Sequence, residues 1–457
     1  MAEAAGEITP PRTRRHACLS HAIAAFAVET PAEDLPEDAR HILRLSLLDW
    51  FAVAHAGASE PASRIVRELA LRDGGAPEAS IIGQPDRLPA RAASLVNATT
   101  GHALDYDDTH FDYVGHPSAA ILPAALAIAQ KERATGVDFL AAALIGVETA
   151  CRVGAWLGRA HYDHGFHQTA TSGSFGAAMA ASRLLGLDTE RCRHALGIAS
   201  TRASGLKSQF GTMGKPLNAG IAAANGVEAA LLASAGFISR PDGLECEQGF
   251  ADTHAGSGRD PADVLEGLGT RFAFASVQHK FHACCHGLHA ALEALSEARD
   301  AHELKPDGIA SVAIEVNPSW LRVCNIDEPA TALEAKFSYR LTAAMVLAGR
   351  DTSALATFTD AICRDARLVG LRDRVTVAGD ASLADTAARV RITCRTGDPA
   401  DVAHDFAGPL DPATRERRVR AKASVLMGRE RADDLWQRIA ALSKAGTPVD
   451  WPDLFAI

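Results

Sequence analysis

Between Gly101 and Ser118 the chain reads GHALDYDDTHFDYVGHPS, which sets Asp105, Asp107, Asp108 and Asp112 among His102, His110 and His116. The flanks, Ala92 to Leu104 and Ala119 to Ala129, are apolar, so these groups are expected to sit side by side and away from water. Carboxylates and imidazoles crowded in this way take pKa values suited to acid/base chemistry near neutral pH. Three further polar clusters lie at the edges of apolar helical stretches: His161, His164 and His167; Thr212 to Lys215 in GTMGKPL; and Lys280 to His289 in KFHACCHGLH. A single imidazole beside a core is as a rule a hydrogen-bonded structural group, and an Asp near a helix start is commonly a cap. The clusters acquire meaning as a set.

Clusters of His and Asp also suit zinc or iron. The spacings argue otherwise: there is no H-E-x-x-H, no paired C-x-x-C, and Cys284-Cys285 is not an iron–sulfur arrangement. Neither a metal nor a cofactor is expected. GTMGKP lacks the spacing of a P-loop, no G-x-G-x-x-G follows a strand, and Gly-x-Ser-x-Gly is missing, which argues against phosphate cradles and α/β-hydrolase chemistry.

The elements that must position these groups are mostly helical. Leu43, Leu47, Phe51 and Ala54 fall on one helix face, as do Phe139, Ala142, Ala143 and Val147. Gly57, Gly136, Gly186, Gly205 and Gly236 read as helix stops, and GSFGAA at Gly173 to Ala178 reads as a place where two helices touch. The helix after His167 is expected to begin near Thr171, with His161 in a polar loop or a site. Past Phe272 the period changes: Val312, Ile314 and Val316 alternate with Ala313, Glu315 and Asn317, and Val375/Val377 and Val390/Ile392/Cys394 repeat the pattern, with a helix from Leu341 to Ala348 between them. Arg415 to Leu442 is helical again, with Val425, Leu435, Trp436 and Ile439 as its apolar members. The reading is a mainly α protein with an inserted α+β domain: a helical domain over 1–272 completed by 407–457, and an α+β lid domain over 273–406.

With 457 residues the chain exceeds what one core accommodates, and 47% hydrophobic with 22% charged residues is ordinary for a globular protein. A net charge of -10 without a basic stripe offers nothing to nucleic acid. Nine scattered cysteines and no secretory leader point to a reduced, cytoplasmic setting. Arg12, Arg14 and Arg15 read as a solvated terminus, since Glu3 and Glu7 interrupt any transit-peptide pattern. The apolar run Ala119 to Ala129 contains Pro123 and is too short to span a bilayer, so no membrane partner is expected.

Taken in order, HALDYDDTH with GHPSAAILPA, GFHQTATSGSFGAA, GTMGKPLNAGIAAANGVEAA, KFHACCHGLHAALEAL and EAKFSYRLTAA resemble the MmgE/PrpD proteins over nearly the whole chain. That family includes 2-methylcitrate dehydratase, cis-aconitate decarboxylase and iminodisuccinate epimerase. The resemblance implies a homodimer and cofactor-free lyase chemistry on a small di- or tricarboxylate. It implies that Asp105 and Thr109 line the pocket, that His116 and His167 face the reacting centre, and that Lys215, with Lys280 from the lid side, binds substrate carboxylate. Cys285 stands where the decarboxylase pattern has a histidine, with His282, His286 and His289 nearby as substitutes. The dehydratase pattern, Asp-Phe-Asn-Asp-Thr with His-Pro-Ser-Asp, is altered here at Asp107 and Ala119. The competing functions are an epimerase or isomerase that abstracts and returns a proton, a metal-dependent hydrolase, and a non-catalytic helical dimer. In the lyase reading His116 and His167 form a proton-transfer pair, with Asp105 orienting one imidazole.

Overall fold

A computed structural model describes residues 18–255, 258–408, 410–444, 449 and 451. The cluster of Arg12, Arg14 and Arg15 lies outside the described residues. The alanine-rich apolar pattern folds into α1 (Leu19–Glu29), α2 (Glu37–Gly57), α3 (Pro61–Asp73), a small hairpin of β1 (Ala79–Ser80) and β2 (Arg87–Leu88), and then α4 (Ala90–His102), α5 (Pro117–Lys131), α6 (Gly136–Asp163), α7 (Gln168–Leu184), α8 (Thr189–Arg202) and α9 (Gly214–Ser234). Helix α7 is packed against α5, α6 and α9, and α4 lies on α9. Small residues permit this closeness, because a Cβ on Gly176 would stand 2.5 Å from the Gly146 carbonyl oxygen. The GSFGAA segment is therefore a helix contact, as its composition suggests. Helix α6 is long and apolar enough to cross a bilayer, with a mean hydropathy of 1.4, but 94% of that window is buried inside the protein. Its position is that of a core helix.

Two short helices, α10 (Phe250–Ala255) and α11 (Pro261–Leu265), lead to the second unit. There α12 (His289–Ala301), β3 (Ile309–Val316), α13 (Pro318–Leu321), α14 (Ala332–Ala335), α15 (Tyr339–Leu347), α16 (Ala366–Arg372), β4 (Val375–Gly379), β5 (Ala387–Cys394) and β6 (Ala400–Asp405) follow in order. The sheet runs β4-β3-β5-β6, with β3 parallel to β4 and antiparallel to β5. Val312 faces Val375 on one side and Ile392 on the other, so the alternating apolar residues make one buried face. Helices α12 and α15 cover it. The remaining helices, α17 (Pro412–Met427) and α18 (Arg429–Ala441), return to α2. Val419, Ala423, Leu435 and Ile439 are buried in the same core as Leu43 and Leu47.

Several local expectations fail for physical reasons. Gly136 opens α6 instead of closing α5, because Thr135 caps the helix by accepting from the Asp138 amide; the left-handed residue after α5 is Arg133, at φ 52°. Gly57 is the last residue of α2 and keeps a helical conformation, whereas Gly186 and Gly236 do adopt positive φ just past α7 and α9. Gly205 lies in the loop beyond α8. The expected helix from Arg415 to Leu442 is two, broken at Gly428 with φ 89°, and Val425 turns outward at 48% exposure. Helix α7 starts at Gln168, three residues before Thr171, and His161 belongs to the end of α6. Strand β6 had no clear alternation to reveal it, being a polar edge strand.

Candidate active site

The apolar stretch of α4 ends at His102, and the chain then makes a tight turn in which Asp105 adopts φ 51°. A left-handed aspartate is uncommon and persists where the surroundings over-determine it. Here Lys280 donates both to the Asp105 carbonyl oxygen, at 2.6 Å, and to its Oδ1, at 3.0 Å. Lys215, the second residue of α9, places Nζ 2.6 Å from Oδ2 of the same carboxylate. Burial opposes the Asp105 charge, but the two ammonium groups, with a smaller effect of His116, hold its carboxyl well below the usual carboxylate range. Lys280 is itself 2% exposed; burial favours its neutral form, and Asp105 and Asp107 more than offset this, raising its proton affinity.

Asp107 organises the imidazoles. Nδ1 of His102 lies 2.9 Å from one oxygen of the fully buried Asp107, and Nδ1 of His116 lies 3.2 Å from the other. Nε2 of His116 reaches toward Asp105 Oδ1 at 3.5 Å, so Asp107 is the closer carboxylate. The rings of His102 and His116 meet edge to face with centroids 4.6 Å apart, and His167 stacks on His102 at 5.9 Å. Burial lowers the proton affinity of His116 to about 4 despite the pull of Asp107, and burial with the neighbouring His102 and Lys215 pushes His167 far below its ordinary value. Burial thus disfavours the charged form of both rings. Asn218 on α9 donates its amide to Nδ1 of His167 at 3.3 Å, leaving the other ring nitrogen to carry the proton.

His116 and His167 occupy the N-cap positions of α5 and α7, yet neither side chain caps its helix. The cap of α5 comes from Asp108, which accepts from the Ser118 amide at 3.2 Å and its hydroxyl at 2.6 Å. Burial raises the Asp108 carboxyl to about 7 against those hydrogen bonds. The imidazoles are thereby free to face the site.

Thr109 stands one step away. It is paired through its backbone with Gln278, and its hydroxyl is hydrogen-bonded to Nδ1 of His286. Burial, then Lys280, keeps His286 far below its ordinary proton affinity, and its Nε2 is buried with no hydrogen-bond partner among the described residues. The Cys285 thiol is hydrogen-bonded with Cys324, which holds its pKa below the usual value. The structure thus brings Asp105, His116, Lys215 and Lys280 into direct contact, stacks His167 on His102, and joins Thr109 to His286 in the segment that leads into α12. His282 is turned away toward Thr352, at 2.6 Å, and Glu293, at 3.3 Å. His102 and Asp107 are members to which the sequence reading gave no role, and His286 is the one of its three candidate substitutes that meets Thr109.

One ligand atom from each of His102, Asp105, Asp107 and His116 falls within 4.8 Å of the others, a spacing that could hold a cation. The donor set fits a divalent ion poorly, because Lys215 and Lys280 already claim both oxygens of Asp105 and would repel it. An anion suits the same place. Three helix N-termini, those of α5, α7 and α9, end at His116, His167 and Lys215, and their dipoles favour negative charge.

The profile of the MmgE/PrpD N-terminal domain matches residues 21–261, and that of the MmgE/PrpD C-terminal domain matches residues 282–444. The chain belongs to the MmgE/PrpD family. Its similarity to characterised members is strongest in part of the length. The cis-aconitate decarboxylase of Aspergillus terreus is 32% identical over 288 residues, covering 60% of this chain and 58% of that protein. The cis-aconitate decarboxylase-like protein oryM of Aspergillus oryzae is 33% identical over 289 residues, 60% of each chain. Human cis-aconitate decarboxylase is 34% identical over 215 residues, 46% of this chain and 44% of the human one. The MmgE/PrpD chain described here therefore spans less than two thirds of each of these relatives in the matched region.

Proposed function

We propose that this protein is a lyase that removes CO2 from a small unsaturated polycarboxylate of the cis-aconitate type. The observation that carries the reading is the clamp of Lys215 and Lys280 on a carboxylate, set against neutral His116 at the meeting point of three helix N-termini. In the structure that carboxylate is Asp105's. A substrate carboxylate is the same chemical group, and each ammonium has three N–H donors, enough to serve it while Asp105 keeps the pair aligned.

In cis-aconitate one CH2–COO⁻ arm is attached to an alkene carbon. Breaking the bond to CO2 leaves its electron pair to form a new terminal double bond, while the old alkene pair takes a proton at the carbon next to a retained carboxylate. Negative charge builds on that carboxylate as the bond breaks, and Lys215 and Lys280 are placed to stabilise it. His116 delivers the proton. An anionic substrate beside its ring favours the charged imidazole, so substrate binding recruits the acid, and Asp107 orients it. The names of the relatives support the choice of substrate.

A second reading has one observation in its favour: the buried His116 ring, beside the carboxylate clamp and disfavoured in its charged form, is available to accept a proton, as an epimerase of acidic carbons requires. Proton NMR in deuterated water with cis-aconitate, citrate, 2-methylcitrate and amino- or imino-dicarboxylates separates the two. Loss of cis-aconitate with one deuteron entering the product supports the decarboxylase. Exchange at an acidic carbon without loss of CO2 replaces it by the epimerase, and inertness toward every acid overturns both.

A further inference from the structure

Asp105 is the residue around which the site is built, and its backbone is in the left-handed region that few residues other than glycine enter. Two consecutive carbonyl groups of this turn are capped by buried lysines from distant parts of the chain. Lys280 caps the Asp105 carbonyl, and Lys422 of α17 caps the next one, donating to the Tyr106 carbonyl oxygen at 2.6 Å. Lys422 is 2% exposed and is also 2.6 Å from Oδ1 of Asp49 on α2, which is 1% exposed. Its Nζ lies 3.9 Å from the centre of the Tyr106 ring. The ring is anchored at its far end as well, since the Tyr106 hydroxyl donates to the Ser353 carbonyl oxygen at 3.1 Å.

We infer that Lys422, held in place by Asp49, is a positioning residue for the lyase site: it fixes the Tyr106 peptide and thereby the left-handed turn that offers the Asp105 carboxylate to Lys215 and Lys280. A buried ion pair is not in itself a source of net stability, and a pair that served only to neutralise Asp49 would not need a backbone acceptor. The third contact of the ammonium gives the pair its purpose. Without it the Tyr106 carbonyl is a buried acceptor lacking its donor, and the peptide is free to rotate away from the strained geometry.

This inference rests on the lyase reading for its activity assay but not for its structural one. Lys422→Met alone strands the Asp49 carboxylate, so the decisive variant is the double change Asp49→Asn with Lys422→Met, which removes both charges together. If Lys422 only neutralises Asp49, the double variant turns over as the parent does. Positioning predicts instead a kcat lowered by at least about tenfold with KM changed less, as a misplaced reacting group requires, and a crystal structure in which Asp105 has left the φ near 51° seen here. Lys422→Arg keeps a cation for Asp49 and serves if the double variant fails to fold; its larger planar head should displace the Tyr106 carbonyl and lower kcat several-fold. Either variant retaining parental kcat, or Asp105 keeping its left-handed backbone, overturns the inference. Should the parent protein prove inert toward every acid tested, the proposed function falls, while the Asp105 backbone in the variants still decides the role of Lys422.

Discussion

On the proposed function, His116 must exchange one protonation state for another during a turnover. Burial sets its pKa at about 4, and an anionic substrate held against Lys215, Lys280 and the ring should raise it. The pKa seen in kcat, which reports the complex, should accordingly lie above the one seen in kcat/KM, which reports the free protein. For a proton donor the rate falls as pH rises through that value. Full pH–rate profiles check both the order and the sign, and His116→Gln should abolish the limb and cost on the order of 100-fold in kcat with the melting temperature little changed. Equal pKa values in the two profiles would remove the substrate-linked acid. Lys215→Ala should cost roughly 2 to 4 kcal/mol of transition-state stabilisation, and Lys215→Arg should restore little of it, because a planar fork replaces a compact charge; kcat/KM of the two folded variants measures this. Asp105, His116, Lys215 and Lys280 were legible in the sequence because each is a charged or titratable group at the edge of an apolar helix. Asp107 was harder to single out among four aspartates in one segment, since only the fold decides that Asp107 meets the imidazoles while Asp108 caps α5.

Helices bring these groups together by their ends more than by their faces. The N-termini of α5, α7 and α9 converge on the clamp, and the C-terminal residue of α4, His102, closes the group. The convergence depends on close packing in the layer beneath. Gly176→Ala on α7 would put a methyl group 2.5 Å from the Gly146 carbonyl oxygen and 2.8 Å from the Ala150 Cβ, neither of which can yield cheaply. A loss of about 1 to 3 kcal/mol follows, and denaturant unfolding measures it; an unchanged midpoint would mean that α6 and α7 separate without penalty. The helical character of these segments was evident from their apolar period. Their ends were less so, because a glycine reads equally as a stop or as a point of close approach. Gly136 illustrates this, with a Cβ position 2.4 Å from the Leu442 carbonyl oxygen of the returning tail. The strands β3, β4 and β5 were visible through alternation, and β6 escaped because its side chains are largely solvated.

At the scale of the molecule, the helices on either side of the sheet-containing unit share one core, so the protein is built from the outside of its sequence inward. Leu435 on α18 is fully buried with residues of α2 and α6. Leu435→Ala should cost about 2 to 5 kcal/mol and lower the melting of the N-terminal helices along with the tail in a single transition. Calorimetry showing an early, separate loss of the tail would contradict the shared core. The apolar period of the tail suggested its return, but its partner helix could not be read from the sequence, because complementarity between α2 and α17 is a matter of shape. Lys422 turns this topology into a matter of timing. It meets the Tyr106 carbonyl across 316 positions of sequence, so a ribosome adding roughly 5 to 20 residues per second delivers it about 15 to 60 s after Tyr106 itself. Until then the turn at Asp105 lacks one of its two lysine caps, and the nascent chain carries the acid/base residues without the geometry to use them. On the proposed function, chains whose synthesis stops early should therefore be silent instead of partly active.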